Sequence, residues 1–139
     1  MKKYLLLALV LLLCVGCSSS KPKEIPEHMS EEAYSYGKEA LAIIDKYLDS
    51  GADREDTIDE LNKIHDNIIY DKEAKEDFYK NFSLQVNISA LSQKLNSFGN
   101  AGWISGGNAA LANQALTNTL EDIEELRNEL AKLLEISSE

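Results

Sequence analysis

Proline is confined to a short stretch near the N-terminus of this sequence. The only two prolines are Pro22 and Pro26, and none follows in the remainder of the 139-residue chain. Because proline removes a backbone donor and breaks or kinks a helix, its absence permits long uninterrupted helices. In the proline-free part of the chain, apolar residues recur three and four positions apart, which is the period of an amphipathic helix. No convincing alternating strand pattern is present there. The sequence therefore predicts an all-α fold.

The first two helices have well-marked predicted ends. The first begins at the N-cap Ser30 and stops near Gly51, and the second follows the N-cap Asp53, with Asp56 completing a weak capping box. The apolar face of the first helix comprises Ala33, Gly37, Ala40, Leu41, Ile44, Tyr47 and Leu48. That of the second comprises Ile58, Leu61, Ile64, His65 and Ile68. Gly37 costs about 1 kcal/mol relative to alanine in a helix, and so predicts the close approach of a neighbouring helix.

Two longer helices are predicted in the second half of the chain. The third begins at the cap Asp71, and its apolar positions are Ala74, Phe78, Phe82, Leu84, Ile88, Leu91, Leu95 and Phe98. The register shifts between Phe82 and Leu84, which predicts a bend or a change of buried face. The fourth runs from about Asn108 to Ile136, and two heptad series mark its seam: Leu116, Ile123 and Leu130, and Thr119, Leu126 and Leu133. Together the patterns predict a small three- or four-helix up-and-down bundle over residues 29–139.

The segment 99–108, between the last two helices, is predicted to be a glycine-rich loop. It holds four of the seven glycines and the single tryptophan, Trp103. One interpretation is that Trp103 and Ile104 fold back over the open end of the bundle. The other is a contact surface for a partner, because loops on rigid scaffolds often carry recognition and tryptophan is a common anchor. The candidate partner-binding residues are Gly99, Gly102, Trp103, Ile104, Gly106 and Gly107.

The N-terminal segment has the pattern of an export signal. Lys2 and Lys3 precede an apolar run over residues 4–15, which is followed by Gly16, Cys17 and three serines. The segment resembles the signal peptide and lipobox of bacterial lipoproteins, although Cys14 stands where leucine is usual. This resemblance implies that residues 1–16 are removed and that Cys17 carries acyl chains which hold the protein on a membrane. The alternative is an uncleaved amphiphilic anchor.

Removal of the signal would leave a strongly acidic protein. Loss of Lys2 and Lys3 reduces the 14 basic residues to 12 against 24 acidic ones, which gives a formal charge of about −12. Such a charge opposes binding to nucleic acid and to anionic membrane surfaces. With Cys14 removed and Cys17 acylated, no thiol would remain for a disulfide, a metal site or a nucleophile. The polar segment 17–28 is predicted to be the lipidated cysteine and a flexible tether.

Neither acidic nor histidine residues form a convincing catalytic or metal-binding motif. Residues 49–60 have the length of an EF-hand loop, but Gly51 and Arg54 occupy positions that require an oxygen ligand and a glycine. His65 has no second ligand three or four residues away. The carboxylates of Glu121, Glu125 and Glu129 are spaced by four, opposite the apolar seam, and predict a solvated, mutually repelling stripe. The sequence therefore predicts no enzyme, no metal and no cofactor.

We expect a lipid-anchored helical protein that faces the outside of the cytoplasm on a bacterial membrane. Its predicted action is binding to another envelope or extracellular protein. The alternative is a lipoprotein that binds a small molecule or a peptide through the 99–108 loop.

Overall fold

The computed structural model describes residues 24–70, 79–104 and 106–136, which form four α-helices and no strand. The helices are α1 (Glu31–Ser50), α2 (Arg54–Tyr70), α3 (Tyr79–Ile104) and α4 (Ala109–Leu133). The predicted all-α bundle is therefore confirmed. The signal segment 1–16, Cys17 and the predicted cap Asp71 lie outside the described residues.

Contacts between the helices define an up-and-down topology. Two ion pairs join α3 to α4 and the residues directly after it: Lys94–Asp122 at 2.6 Å, and Lys80–Glu135 at 3.0 Å just beyond the end of α4. Two hydrogen bonds join α2 to α3: Arg54 Nη1 to Leu95 O at 3.4 Å and Ser92 Oγ to Asn62 Oδ1 at 2.7 Å. In both pairs of helices, residue numbers rise along one helix as they fall along the other, so consecutive helices are antiparallel. The starts of α1 and α3 meet where Asn81 Oδ1 accepts the Ser30 N–H at 3.1 Å.

The predicted capping residues occupy the ends of the helices. Ser30 Oγ accepts the N–H of Ala33 at 3.2 Å at the start of α1. Gly51 ends this helix in the left-handed conformation, with φ at 64°. Asp53 accepts the Asp56 N–H at 3.0 Å before α2, and Asn108 is the N-cap of α4.

The core is a single apolar cluster between the four helices. Its largest fully buried side chains are Ile44, Leu61, Leu84, Ile88, Leu91, Leu95, Ile123, Leu130 and Leu134. The predicted seam of α4 is confirmed at Ile123 and Leu130. Phe82, which was assigned to the buried stripe of the third helix, is instead 67% exposed. The buried face of α3 begins at Asn81, which is in helical register with Leu84 and therefore turns Phe82 outward.

The folded domain begins before α1. Pro26 and Met29 are buried, and the Met29 N–H donates to Pro26 O at 3.2 Å. The carbonyl oxygen of His28 accepts the Lys80 N–H at 3.2 Å, which satisfies a donor in the first turn of α3. Pro26 and the backbone carbonyl of His28, which lie in the segment that the sequence assigned to the tether, thus contact the folded domain.

Candidate functional site

The segment 99–108 is not an open loop over most of its length. Residues 99–104 continue α3, and only the positions after them contain the turn to α4. The guanidinium of Arg54 occupies the place where a Cβ on residue 99 would stand, so this position of the Arg54 side chain requires glycine there. Arg54 also donates to Leu95 O at 3.4 Å, so a contact with α2 stabilises the helix at a position that glycine alone would weaken.

The remaining residues predicted for partner binding divide between the helix and the turn. The backbone of Gly102, Trp103 and Ile104 is helical, and their side chains lie outside the described part of the structure. Gly106 and Gly107 have φ of 56° and 85°, with open space where a Cβ would project. Their positive φ explains these two glycines as turn formers. The role of all six residues in partner binding stays a prediction, as does lipidation of Cys17.

A cleft of about 570 Å³ lies at the end of the bundle that carries the α1–α2 turn. Gly99 and Arg54 line it together with Tyr47, Phe98 and Leu120. Burial raises the pKa of the Tyr47 phenol, and the positive charge of Arg54 opposes that increase. The sequence did not predict this cleft, because the contact between Arg54 and α3 joins residues 41 positions apart.

An apolar exposed surface lies between α3 and α4, in the half of the bundle near the start of α3. We call it the α3–α4 groove. It has a volume of about 360 Å³ and is lined by Phe82, Ser83, Val86, Asn87, Ala90, Leu126, Glu129 and Leu133. Phe82 is 67% exposed and Val86 is 51% exposed. Both are large apolar side chains on the outer face of α3, so the groove presents hydrophobic surface to solvent.

Sequence reasoning noted the register shift between Phe82 and Leu84 but missed the groove, because it kept Phe82 among the buried positions of the third helix. The structure separates them into a buried face, which includes Leu84 and Ile88, and an outer face, which includes Tyr79, Phe82 and Val86. The signal was present in the spacing: these outer residues follow one another at intervals of three and four, offset by two from the buried series.

Glu129 lines the groove on its α4 side and also belongs to an adjoining acidic surface of α4, which contains Glu121 and Glu125. Glu121, Glu125 and Glu129 are exposed and lie one helical turn apart, as the sequence predicted for this stripe. Within the part of the chain that the structure describes, none of the three forms an ion pair. Of the two nearby cations, Arg127 bonds to Asp45 at 2.7 Å, an interaction that raises the pKa of the guanidinium, whereas Lys132 lines the same surface as the stripe.

Asn87 places an unsatisfied polar atom beside this apolar surface. The residue is 9% exposed, and its Nδ2 donates to Leu126 O at 3.2 Å. Its Oδ1 is buried and accepts no hydrogen bond from the described residues. A buried acceptor without a donor costs about 1–3 kcal/mol, which makes Asn87 an expensive residue in the wall of the groove.

The groove between α1 and α2 differs in charge although it is similar in size. It has a volume of about 370 Å³, and both signs of charge line it, from Glu39 and Glu60 and from Lys46 and Lys63. The α3–α4 groove, by contrast, has a carboxylate as its only charged lining residue. The two surfaces therefore favour different ligands.

The described ranges contain no cluster of three or more histidine, cysteine or carboxylate side chains that could hold a metal ion. His65 is half-buried, as predicted, with Nδ1 3.4 Å from Asp66 Oδ1. No helix in residues 24–70, 79–104 or 106–136 is long and apolar enough to cross a bilayer.

Comparison of the chain with models of protein families, with curated proteins and with solved structures found no match.

Proposed function

We propose that this protein is a lipid-anchored domain of a bacterial cell envelope that binds another protein through the α3–α4 groove. The observation that carries the proposal is the exposure of Phe82 and Val86 beside Leu126 and Leu133. Apolar surface of this kind on a small domain is typical of an interaction site. The domain would act by binding and not by catalysis.

The N-terminal segment supports the location. Its resemblance to a lipobox implies acylation at Cys17, and residues 18–25 would then form the connection between the acyl chains and the bundle. An anchored domain needs little affinity to hold a partner in the same membrane, because the anchor raises the local concentration of both. A groove of modest area therefore suits a protein held at a surface.

The cleft at Gly99 and Arg54 favours a second candidate function, which is binding of a small molecule or a peptide at the opposite end of the bundle. Its volume of about 570 Å³ is within the range of ligand sites. This candidate function uses one residue of the predicted 99–108 binding segment, because Gly99 lines the cleft.

Site-specific photo-cross-linking in intact cells tests the proposal. A benzophenone amino acid is placed at Phe82 of the full chain, at Leu111 as a control, and at Trp103. Leu111 is a suitable control because it is 54% exposed and lies on α4 outside the groove. We expect an adduct with an envelope protein from position 82 and none from position 111. An adduct from position 103 alone would move the contact to the predicted 99–108 surface, and equal adducts from 82 and 111 would contradict a specific site.

A further inference from the structure

We infer that the occupant of the α3–α4 groove is a basic amphipathic helix, whose apolar face contacts Phe82, Val86 and Leu133 while its cations face Glu121, Glu125 and Glu129. This inference rests on the proposed function, since it names the partner class of the same groove. Charge, spacing and the unsatisfied Asn87 acceptor each support it.

The apolar positions have the spacing that a helix needs. On α3, Phe82, Val86 and Ala90 are separated by four residues each and so rise along one line. On α4, Leu126 and Leu133 are one heptad apart. A third helix that lies between these two lines presents apolar residues at the same intervals and adds to the bundle in the way that its own helices pack.

The charges on the two sides of the groove are unequal. Between residues 82 and 100, α3 carries one charged residue, Lys94, and its ammonium is already paired with Asp122 at 2.6 Å. On the α4 side, the carboxylates of Glu121, Glu124, Glu125 and Glu129 share one surface with a single ammonium, that of Lys132, so negative charge is in excess. Like charges four residues apart in a helix destabilise it by about 0.2–0.5 kcal/mol per pair. Lysine or arginine on one flank of a docked helix would relieve this repulsion.

The same asymmetry disfavours a second copy of this chain as the occupant. A symmetric dimer through the groove would place the glutamate stripe against α3, which offers no free cation there, or against the partner's own glutamates. An anionic bilayer surface is disfavoured for the same reason. A polypeptide with a cationic flank is the occupant whose charge complements the site.

Asn87 supplies an observation independent of charge. Its Oδ1 is a buried acceptor that receives no donor from the described residues, and the residue lines the groove. The atom is shielded from solvent, so a docked helix would donate to it only after the Asn87 side chain turns toward the groove, and that donation would remove the cost of the unpaired acceptor. An apolar ligand would leave that cost in place.

A designed peptide provides the test. The probe is an amphipathic helix of about 18 residues made of leucine and lysine, with leucine at i, i+3, i+4 and i+7. The comparison peptide has the same leucines with glutamate in place of lysine. Binding to the full chain in dodecyl maltoside is measured by fluorescence anisotropy, with protein-free micelles as the blank.

Two matched pairs of variants separate specific docking from general attraction. Phe82→Ser is compared with Leu111→Ser, since both side chains are more than half exposed. The triple variant Glu121→Gln, Glu125→Gln, Glu129→Gln is compared with Glu39→Gln, Asp59→Asn, Glu60→Gln, which removes the same charge from exposed positions on α1 and α2. Far-ultraviolet circular dichroism confirms that each variant is folded.

We expect the lysine peptide to bind, and Phe82→Ser and the α4 triple variant each to weaken binding about tenfold. Leu111→Ser and the α1–α2 triple variant should stay within about twofold of wild type. Absence of binding to wild type, equal binding of the glutamate peptide, or equal loss in the two triple variants would overturn the inference.

Two further measurements identify the competing occupants. A dimer in sedimentation that Phe82→Ser dissociates would replace the basic helix with a second copy. If brominated phosphatidylcholine quenches the tryptophan fluorescence of Phe82→Trp more than that of the wild type, which contains only Trp103, the occupant of the groove would be the bilayer and not a basic helix. Cross-linking from position 82 to a protein without a basic helix would overturn the inference and leave the proposed function intact. Peptide binding without any cellular adduct would support the inference about the groove and contradict the proposed function in the cell.

Discussion

Leu134 packs directly against the backbone of Gly37. A Cβ built on Gly37 would lie 2.5 Å from Leu134 Cδ2 and 3.2 Å from Leu84 Cδ1. This is the close approach that the glycine in the first apolar stripe predicted, and it joins the start of α1 to the end of α4. Because Leu84 and Leu134 are both fully buried, neither side chain has free space into which it could move.

The two helical glycines should respond in opposite ways to alanine. Gly37→Ala gains about 1 kcal/mol of helix propensity but overpacks the core, and we expect a net loss of about 1–2 kcal/mol in the free energy of unfolding. Gly99→Ala displaces only the end of the Arg54 side chain, which can turn toward solvent, so stability should be unchanged or higher. Chemical denaturation measures both. A Gly37→Ala protein more stable than wild type would show that the packing at Leu134 is loose.

The buried seam of α4 can be tested with one charge. Ile123 is fully buried, so Ile123→Asp places an unpaired carboxylate in the core and should reduce the free energy of unfolding by several kcal/mol. Asn118→Asp is the control, since it introduces the same group at an exposed position of the same helix. If the two variants melt at the same temperature, the seam is not part of the core.

How far the sequence specified the structure depends on whether a signal was local. The cap Ser30, the start of the fourth helix near Asn108 and the seam at Ile123 were predicted because each depends on neighbours within a few residues. The continuation of α3 through Gly99 was missed because local propensity favours a helix end at a glycine. The helix continues there with the Arg54 side chain beside Gly99, a contact between residues that are distant in sequence.

The candidate site was less predictable than the fold. The acidic stripe was recognised from its spacing alone, but the groove beside it required knowledge of which face of α3 is buried. That face begins at Asn81, a polar residue that packs inward and hydrogen-bonds to Ser30 at the start of α1. A polar residue in the core series conceals the register from hydrophobic pattern analysis.

Tyr47 should make the protein sensitive to alkaline conditions. Burial raises the pKa of this phenol above its ordinary value of about 10. The folded state then holds the proton more tightly than the unfolded state, so stability is lost as the pH rises from about 10 through the folded pKa. We expect Tyr47→Phe to lose less stability than wild type over this range in denaturation curves. Arg54→Gln removes the cation that opposes the shift and should steepen the loss.

The two cysteines near the N-terminus should differ in their effect on membrane attachment. If Cys17 carries the acyl chains, Cys17→Ser should leave the precursor unprocessed or release the domain from membranes, because the lipid supplies the anchor. Cys14→Ser should change neither processing nor attachment. Fractionation and gel mobility measure both properties. Equal effects of the two substitutions would sink the assignment of Cys17.

Replacement of Asn87 by an apolar residue should preserve or raise the stability of the free protein but weaken its binding of the peptide. Asn87→Leu removes a buried oxygen without a donor and fills the site with apolar atoms, while Leu126 O keeps the acceptor role that it has within α4. We expect the free energy of unfolding to stay level or rise by about 1 kcal/mol, and binding of the leucine–lysine peptide to weaken. Ser92→Ala is the control on the same helix, because it breaks a satisfied 2.7 Å bond to Asn62 and should cost about 1 kcal/mol with peptide binding unchanged. A strong loss of stability in Asn87→Leu with wild-type peptide binding would instead make Asn87 a structural residue that holds α3 to α4, and it would remove the acceptor from the argument for the groove.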